Sequence, residues 1–328
     1  MIFDLHCDTI WKISEAKRKA KEIRLQKSYL QIDEEKLIKG NYFAQCFAVY
    51  IPNKYPDPYQ RCLHDVKIYN EQIKQSQILA PVYNYSDFEK NAKNGKISAV
   101  LTMEDGCPIG ENFDNLYTLY HMGVRMICLL HNLENPIGNP NFVDVRLGES
   151  PNPTIANTKT GLTEFGRALV KEMNNLGIVI DVSHLSDKGF YDVIKLSKRP
   201  IVASHSNARA VCGHVRNLTD NMLYNLAKNG GVTGINYAKQ FMDNDEALGR
   251  NTIECALRHI KYIKKKIGID HIALGSDFDG IDPDIEISEA SKIHFLIAAL
   301  EKNGFSTDEI EKITHKNALR IFKANMQS

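Results

Sequence analysis

Seven ionisable side chains sit where short apolar runs of this 328-residue chain come to an end. His6 and Asp8 belong to MIFDLHCD (1–8), Glu104 to ISAVLTMED (97–105) and His131 to VRMICLLHN (124–132). His184 falls near the end of GIVIDVSHL (177–185), His205 of PIVASHS (200–206) and Asp277 of HIALGSDFDG (271–280). On an extended strand, residues two apart share a face, so His6 and Asp8 aim an imidazole and a carboxylate at one point. One such pair is common by chance, and a lone strand histidine is more often structural. Seven together are hard to explain as stability, because buried charge is costly unless paired or metal-bound. Two histidines and a carboxylate suit a zinc-like ion. Here His6, His184 and His205 join Asp8, Glu104 and Asp277, three imidazoles and three carboxylates. That set exceeds one tetrahedral ion and matches two, which in paired sites stand about 3.5–4 Å apart. Water on such ions is deprotonated near neutral pH and becomes a nucleophile for hydrolysis. No G-x-S-x-G elbow competes for that role.

The elements that must carry these residues follow from patterning. Besides the runs above, FAQCFAVYI (43–51) and GGVTGINYA (230–238) read as strands, giving eight in all. Several are apolar on both faces, as strands of a covered parallel sheet are. Helical spacing fills the gaps. TEFGRALVKEMNNLG (163–177) ends on glycine, SDKGFYDVIKLS (186–197) opens with good caps, and LTDNMLYNLAKNGG (218–231) has both signals. Alternating strands and helices predict a single-domain (β/α)8 barrel over residues 1–328, in which the strands' C-terminal ends form the active-site mouth. A doubly wound open sheet is the competing pattern, weakened by the lack of a G-x-G-x-x-G after an early strand. Residues 133–159, rich in Pro, Asn and Gly, are too long for a simple connection and are expected to form a lid over the mouth.

Composition excludes other classes. The balance of 41 Lys+Arg against 40 Asp+Glu gives no nucleic-acid footprint. Lys264, Lys265 and Lys266 are read as the solvated end of a helix. No secretion signal is expected, since Asp4 and His6 interrupt the first apolar stretch, and no apolar window is long enough for a membrane span. The seven scattered cysteines form no C-x-x-C and read as reduced thiols of a cytoplasmic protein. Cys7, between His6 and Asp8, is expected to point away from them. His64, His121, His259, His271, His294 and His315 are assigned to helices or their flanks, and His214 is not expected to be a ligand. A homodimer is allowed on base rates alone.

Five motifs, in this order and spacing, make the chain resemble the membrane (renal) dipeptidases of the metal-dependent amidohydrolase superfamily. They are LHCDT (5–9), DVSH (181–184), ASHSNARAV (203–211) with VRN (215–217), GSDFDG (275–280) and NALRIF (317–322). The resemblance spans nearly the whole chain. It implies a barrel that cleaves dipeptides through a hydroxide bridging a binuclear zinc centre. It makes His6 and Asp8 ligands of the first ion, Glu104 the bridge, and His184 and His205 ligands of the second. Asp277 becomes the acid/base, His131 the substrate-polarising histidine, and Arg216 the seat of the substrate carboxylate. Two departures fall in the mouth loops. Asp105 and Gly106 follow Glu104 where many members have two glycines, and Val215 precedes Arg216 where proline is usual.

Other barrel metallohydrolases, phosphoesterases or deaminases, usually carry H-x-H rather than H-x-D on the first strand. A phosphoesterase would also need several mouth cations, where the chain offers Arg216 and Arg209. A non-catalytic peptide-binding barrel is the rival from another class, but such proteins tend to lose ligands. The bland alternative for Arg216 is a surface pair with Asp220.

Overall fold

Side chains alternating between two apolar layers build a closed parallel sheet in the computed structural model, which describes residues 1–52, 55–143, 151–244 and 251–326. The strands are β1 (Ile2–Asp4), β2 (Tyr42–Tyr50), β3 (Leu79–Pro81), β4 (Ile97–Glu104) and β5 (Val124–Cys128), followed by β6 (Val179–Asp181), β7 (Val202–Ala203), β8 (Val232–Ile235) and β9 (Ile272–Leu274). Every pairing is parallel, and β4 joins both β2 and β5, which closes an eight-stranded barrel with helices around it. The short β3 was not expected. It pairs only with the start of β4, below the stretch that β5 occupies.

The strands that form are shorter than most of the apolar runs that contain them. Only β4 ends on its candidate ligand, Glu104, whereas His6, Asp8, His131, His184, His205 and Asp277 lie two to four residues past a strand. The cause is a set of inward carboxylates that take over backbone donors. Asp4 Oδ1 accepts from the N–H of His6 and of Ser276, and Asp181 Oδ1 from Ser183 and Ser204. The ladder gives way to side-chain bonds, and the ligands ride on irregular backbone. His6 and Asp8 therefore share a face beyond β1 rather than on it.

Helices form where expected. Glu164–Leu176 is capped by Thr163 and stopped by left-handed Gly177 at φ 78°, Asp187–Leu196 by Ser186, and Asp220–Lys228 by Thr219. The three lysines 264–266 close helix Thr252–Ile267. One apolar layer lies between sheet and helices and includes Cys7, which points away from His6 and Asp8. A second fills the barrel. Phe3, Val100, Met126, Val179, Val202 and Val232 meet Ile321 and Phe322 of the C-terminal helix Asn317–Asn325 there. Asn317 ties that helix to the carbonyls of Ile269 and Ile272, at the start of β9. The helix thus plugs the N-terminal end, and the other end stays open. Among the described residues no helix is long and apolar enough to cross a membrane.

Candidate metal centre at the barrel mouth

The irregular segments past the strands bring all the candidate ligands together. Glu104, at the tip of β4, stands at the middle. Its Oε2 lies 3.5 Å from His6 Nε2, and its Oε1 lies 3.0 Å from His184 Nε2 and 3.6 Å from His205 Nε2. His6 Nε2 is in turn 3.7 Å from Asp8 Oδ2 and 3.8 Å from Asp277 Oδ1. Three groups of ligand-type atoms lie within 4.8 Å of one another: His6, Glu104 and His205; Glu104, His131 and His184; and His6, Asp8 and Asp277. Asp277 stands as near His6 as Asp8 does.

Further residues orient these donors. Ser204 Oγ bonds Asp181 Oδ2 at 2.5 Å and His205 Nδ1 at 2.6 Å, which leaves Nε2 for the centre. Asn132 Oδ1 accepts from His184 Nδ1 at 3.0 Å with the same result. Fixing the far nitrogen is how proteins set the tautomer of a metal-binding histidine. Asn236 Nδ2 donates to Asp277 Oδ2 at 2.9 Å, and Tyr50 Oη lies 3.2 Å from His131 Nδ1. The segment after β9 makes room by backbone geometry. Asp277 and Asp279 are left-handed, with φ of 64° and 67°, and Gly280 sits where any Cβ would collide with the carboxylates of Asp8 and Asp277. Asp105 is left-handed too, at φ 70°, and its Oδ1 accepts from Cys107 N and Asn135 Nδ2.

The electrostatics fit a cation. Burial and the charge of Asp8 push the Glu104 carboxyl up to about 8, against the pull of His6, and burial first of all pushes Asp277 up to about 6. Burial opposes charge on His6, but Glu104 and Asp8 prevail and raise its pKa well above the usual value. Burial, with Arg216 nearby, takes His131 down to about 3 and holds His184 and His205 well below the ordinary range. Neutral His184 and His205 beside crowded carboxylates are what a divalent ion needs, and the positive charge that Glu104 and Asp8 draw onto His6 is one that a cation would replace. His6 Nε2 and Asp8 Oδ1 are buried without a hydrogen-bond partner. The donor set and these unpartnered atoms fit one or more metal ions.

The centre opens into a cavity of about 750 Å³ lined by Trp11, Tyr50, His131, Phe142, His214, Arg216, Phe241 and Ile281, among others. Arg216 is 2% exposed. It donates to the carbonyls of Ser183 and His205 and to Ser206 Oγ, and its Nε is buried without a partner. Asp220 does not pair with it, being bonded to Tyr262 and Lys266. Arg209, read as a possible mouth cation, is clamped by Asp187 through two 2.7 Å bonds and is structural. His214 lines the cavity wall, away from the metal-type groups. Of the expected lid, residues 144–150 lie outside the described residues. The flanks reach the cavity through Phe142, Pro151 and Pro153.

Sequence reasoning missed Tyr50, Asn132, Ser204 and Asn236. Each follows or ends an apolar run, which was the available signal, but neutral side chains gave no reason to single them out.

Comparison with known proteins points the same way. Residues 1–328 match the family described as membrane dipeptidase (peptidase family M19). The chain is 29% identical over 304 residues to "Dipeptidase tcpJ" of Claviceps purpurea (strain 20.1), covering 89% of this chain and 68% of that protein. It is 34% identical over 242 residues to the "Uncharacterized protein in pqqA 5′region" of Klebsiella pneumoniae, covering 73% and 86%. A metallo peptidase from Rhodobacter sphaeroides, solved with a phosphinate mimic of the dipeptide L-Ala-D-Ala, superposes with a TM-score of 0.86 at 27% identity over 99% of both chains. The chain therefore belongs to the membrane dipeptidase family, as a metal-dependent dipeptidase built on a (β/α)8 barrel.

Proposed function

We propose that this chain acts as one barrel domain in the cytoplasm and cleaves dipeptides with two divalent ions, zinc first among them. His6, Asp8, Glu104, His184 and His205 would hold the ions. The observation that carries the reading is Glu104, whose two oxygens face opposite donor groups. A carboxylate divided in this way suits a bridge. When bound, such ions supply a water that is acidic near neutral pH and polarise the scissile carbonyl.

The chain's own residues do the rest. Asp277 has Oδ2 engaged by Asn236, leaving Oδ1 to take the proton of the attacking water and return it to the departing amine. His131 stays neutral, and with the Tyr50 hydroxyl donating to Nδ1, its Nε2–H can donate to the carbonyl oxygen as charge develops there. Arg216 offers a planar fork to the substrate's terminal carboxylate. Its buried, unpartnered Nε supports that role, as does the dipeptide mimic in the Rhodobacter relative. The seven cysteines are all buried thiols, which suits a reducing compartment.

The test is metal analysis of the purified protein, followed by L,L and L,D dipeptides with and without added zinc and a phosphoester as control. Zinc-dependent release of free amino acids, with no phosphoester turnover, is expected. Phosphoester cleavage without dipeptide cleavage would reassign the site to another barrel metallohydrolase.

A further inference from the structure

The wall of the cavity around Arg216 is aromatic, and its parts are fixed in place before any substrate arrives. The His214 ring meets Phe142 edge-on at 5.8 Å and Phe241 at 4.5 Å. The Arg216 guanidinium lies over the Phe241 ring, 5.3 Å from its centroid, and the Arg216 N–H donates to His214 Nδ1 at 3.1 Å. Pro153 completes this wall.

Each part is pinned from behind by backbone bonds. Asn141 N donates to the His184 carbonyl at 2.9 Å and Asn157 N to the Asn141 carbonyl at 2.9 Å, which fixes Phe142 beside the metal-type groups. The Phe241 carbonyl accepts from Asn217 and Asn207. Val215 N donates to the Pro153 carbonyl at 2.8 Å, a bond that a proline at position 215 could not make. Phe142 is 6% exposed. A wall this constrained does not collapse to fill empty space, so a small substrate side chain leaves it uncovered.

Resting on the proposed dipeptidase reading, we infer that Phe142, His214 and Phe241 form a subsite for the side chain of the substrate's C-terminal residue and select large apolar or aromatic residues there. The reason is connectivity. If Arg216 holds the terminal carboxylate, the carbon that bears it is one bond away and the side chain starts one bond further. The surfaces within reach are the rings packed on and bonded to Arg216.

The test uses zinc-loaded protein and Ala-Ala, Ala-Leu and Ala-Phe with the second residue in both configurations, together with Leu-Ala and Phe-Ala. For the preferred configuration, kcat/KM for leucine or phenylalanine in second place should exceed that for alanine by about 10-fold or more. In Phe142→Ala and Phe241→Ala that ratio should fall to about 1–3, while the ratio of Leu-Ala to Ala-Ala stays as in the wild type. Ratios taken on one preparation cancel differences in folding and metal loading. A wild-type ratio of one or less, variants that keep the full ratio, or a collapse at the first residue instead would overturn the subsite. In those cases Ala-Ala is still cleaved, and the dipeptidase reading stands. If no dipeptide is cleaved, that reading falls and the subsite with it.

Discussion

At the N-terminal end of the barrel, Phe3 stacks on Phe322 at 5.3 Å and Phe88 meets Phe322 at 5.7 Å. At the other end, His6 Nε2 and Asp8 Oδ1 are buried with no hydrogen-bond partner, and Arg216 Nε likewise. The first end is regular strand and apolar contact, closed by a helix. The second is irregular backbone with three left-handed aspartates, 105, 277 and 279. The first end buries apolar surface, while the second keeps unmet demands for cations, protons and an anion. In (β/α)8 enzymes, stability concentrates at the bottom and chemistry at the top. Substitutions at the two ends should separate these properties.

The largest effect should come from the mouth. Asp277→Asn should lower kcat by about 10²–10⁴-fold while metal content stays nearly intact, as expected of a proton carrier. Metal analysis alongside kinetics checks this, and joint loss of a metal and activity would make Asp277 a ligand. At the opposite end, Phe322→Ala should cost about 3–5 kcal/mol of stability, the usual range for a buried phenylalanine. It should leave kcat/KM per folded, metal-loaded molecule unchanged. A clear change in kcat there would break the division between the two ends.

Arg216→Ala should reduce dipeptide cleavage by about 10–100-fold, from the roughly 1.5–3 kcal/mol of a hydrogen bond to a charged group. Lysine should rescue only in part, because it lacks the planar fork. A dipeptide amide should be a poor substrate for the wild type and lose little more in the variant. Equal ratios of dipeptide to amide in both proteins would remove the carboxylate from the account.

Only a pH-dependent effect, fully expressed in acid, is expected from the outer layer. His259 is fully buried, accepts from Ala208 N at Nδ1 and donates from Nε2 to the Met242 carbonyl, and so braces the segments that follow β7 and β8. Burial first of all lowers its pKa to about 4. The folded pKa lies below the unfolded value of about 6.5, so the unfolded chain takes up the proton first. Stability is full above about 6.5 and falls as pH drops toward 4, by up to roughly 3 kcal/mol from this group. Urea midpoints between pH 7 and 4.5 should fall less steeply in His259→Gln than in the wild type. Parallel slopes would exclude this histidine.

How much of this could be read in the sequence follows the same division. The helices at 163–177 and 186–197 were legible because caps, spacing and a terminal glycine agree locally. The charged mouth residues were legible because they interrupt apolar runs. Strand ends were misplaced, because Asp4 and Asp181 act on backbone donors of other strands, contacts that no local pattern records. Arg209 and Arg216 look alike in the chain, and only the fold shows one clamped by Asp187 and the other without a counter-ion at its Nε. Tyr50 and Asn236 gained their interest only from the groups the barrel set beside them.

The central claim is that Glu104 joins two halves of one centre. The most direct measurement is the number of divalent ions bound per chain, in the wild type and in Glu104→Gln, by equilibrium dialysis with elemental analysis. Two ions in the wild type, with both sites weakened together in the variant, is the predicted result. Two ions still bound at wild-type affinity in Glu104→Gln, or only one in the wild type, would contradict it.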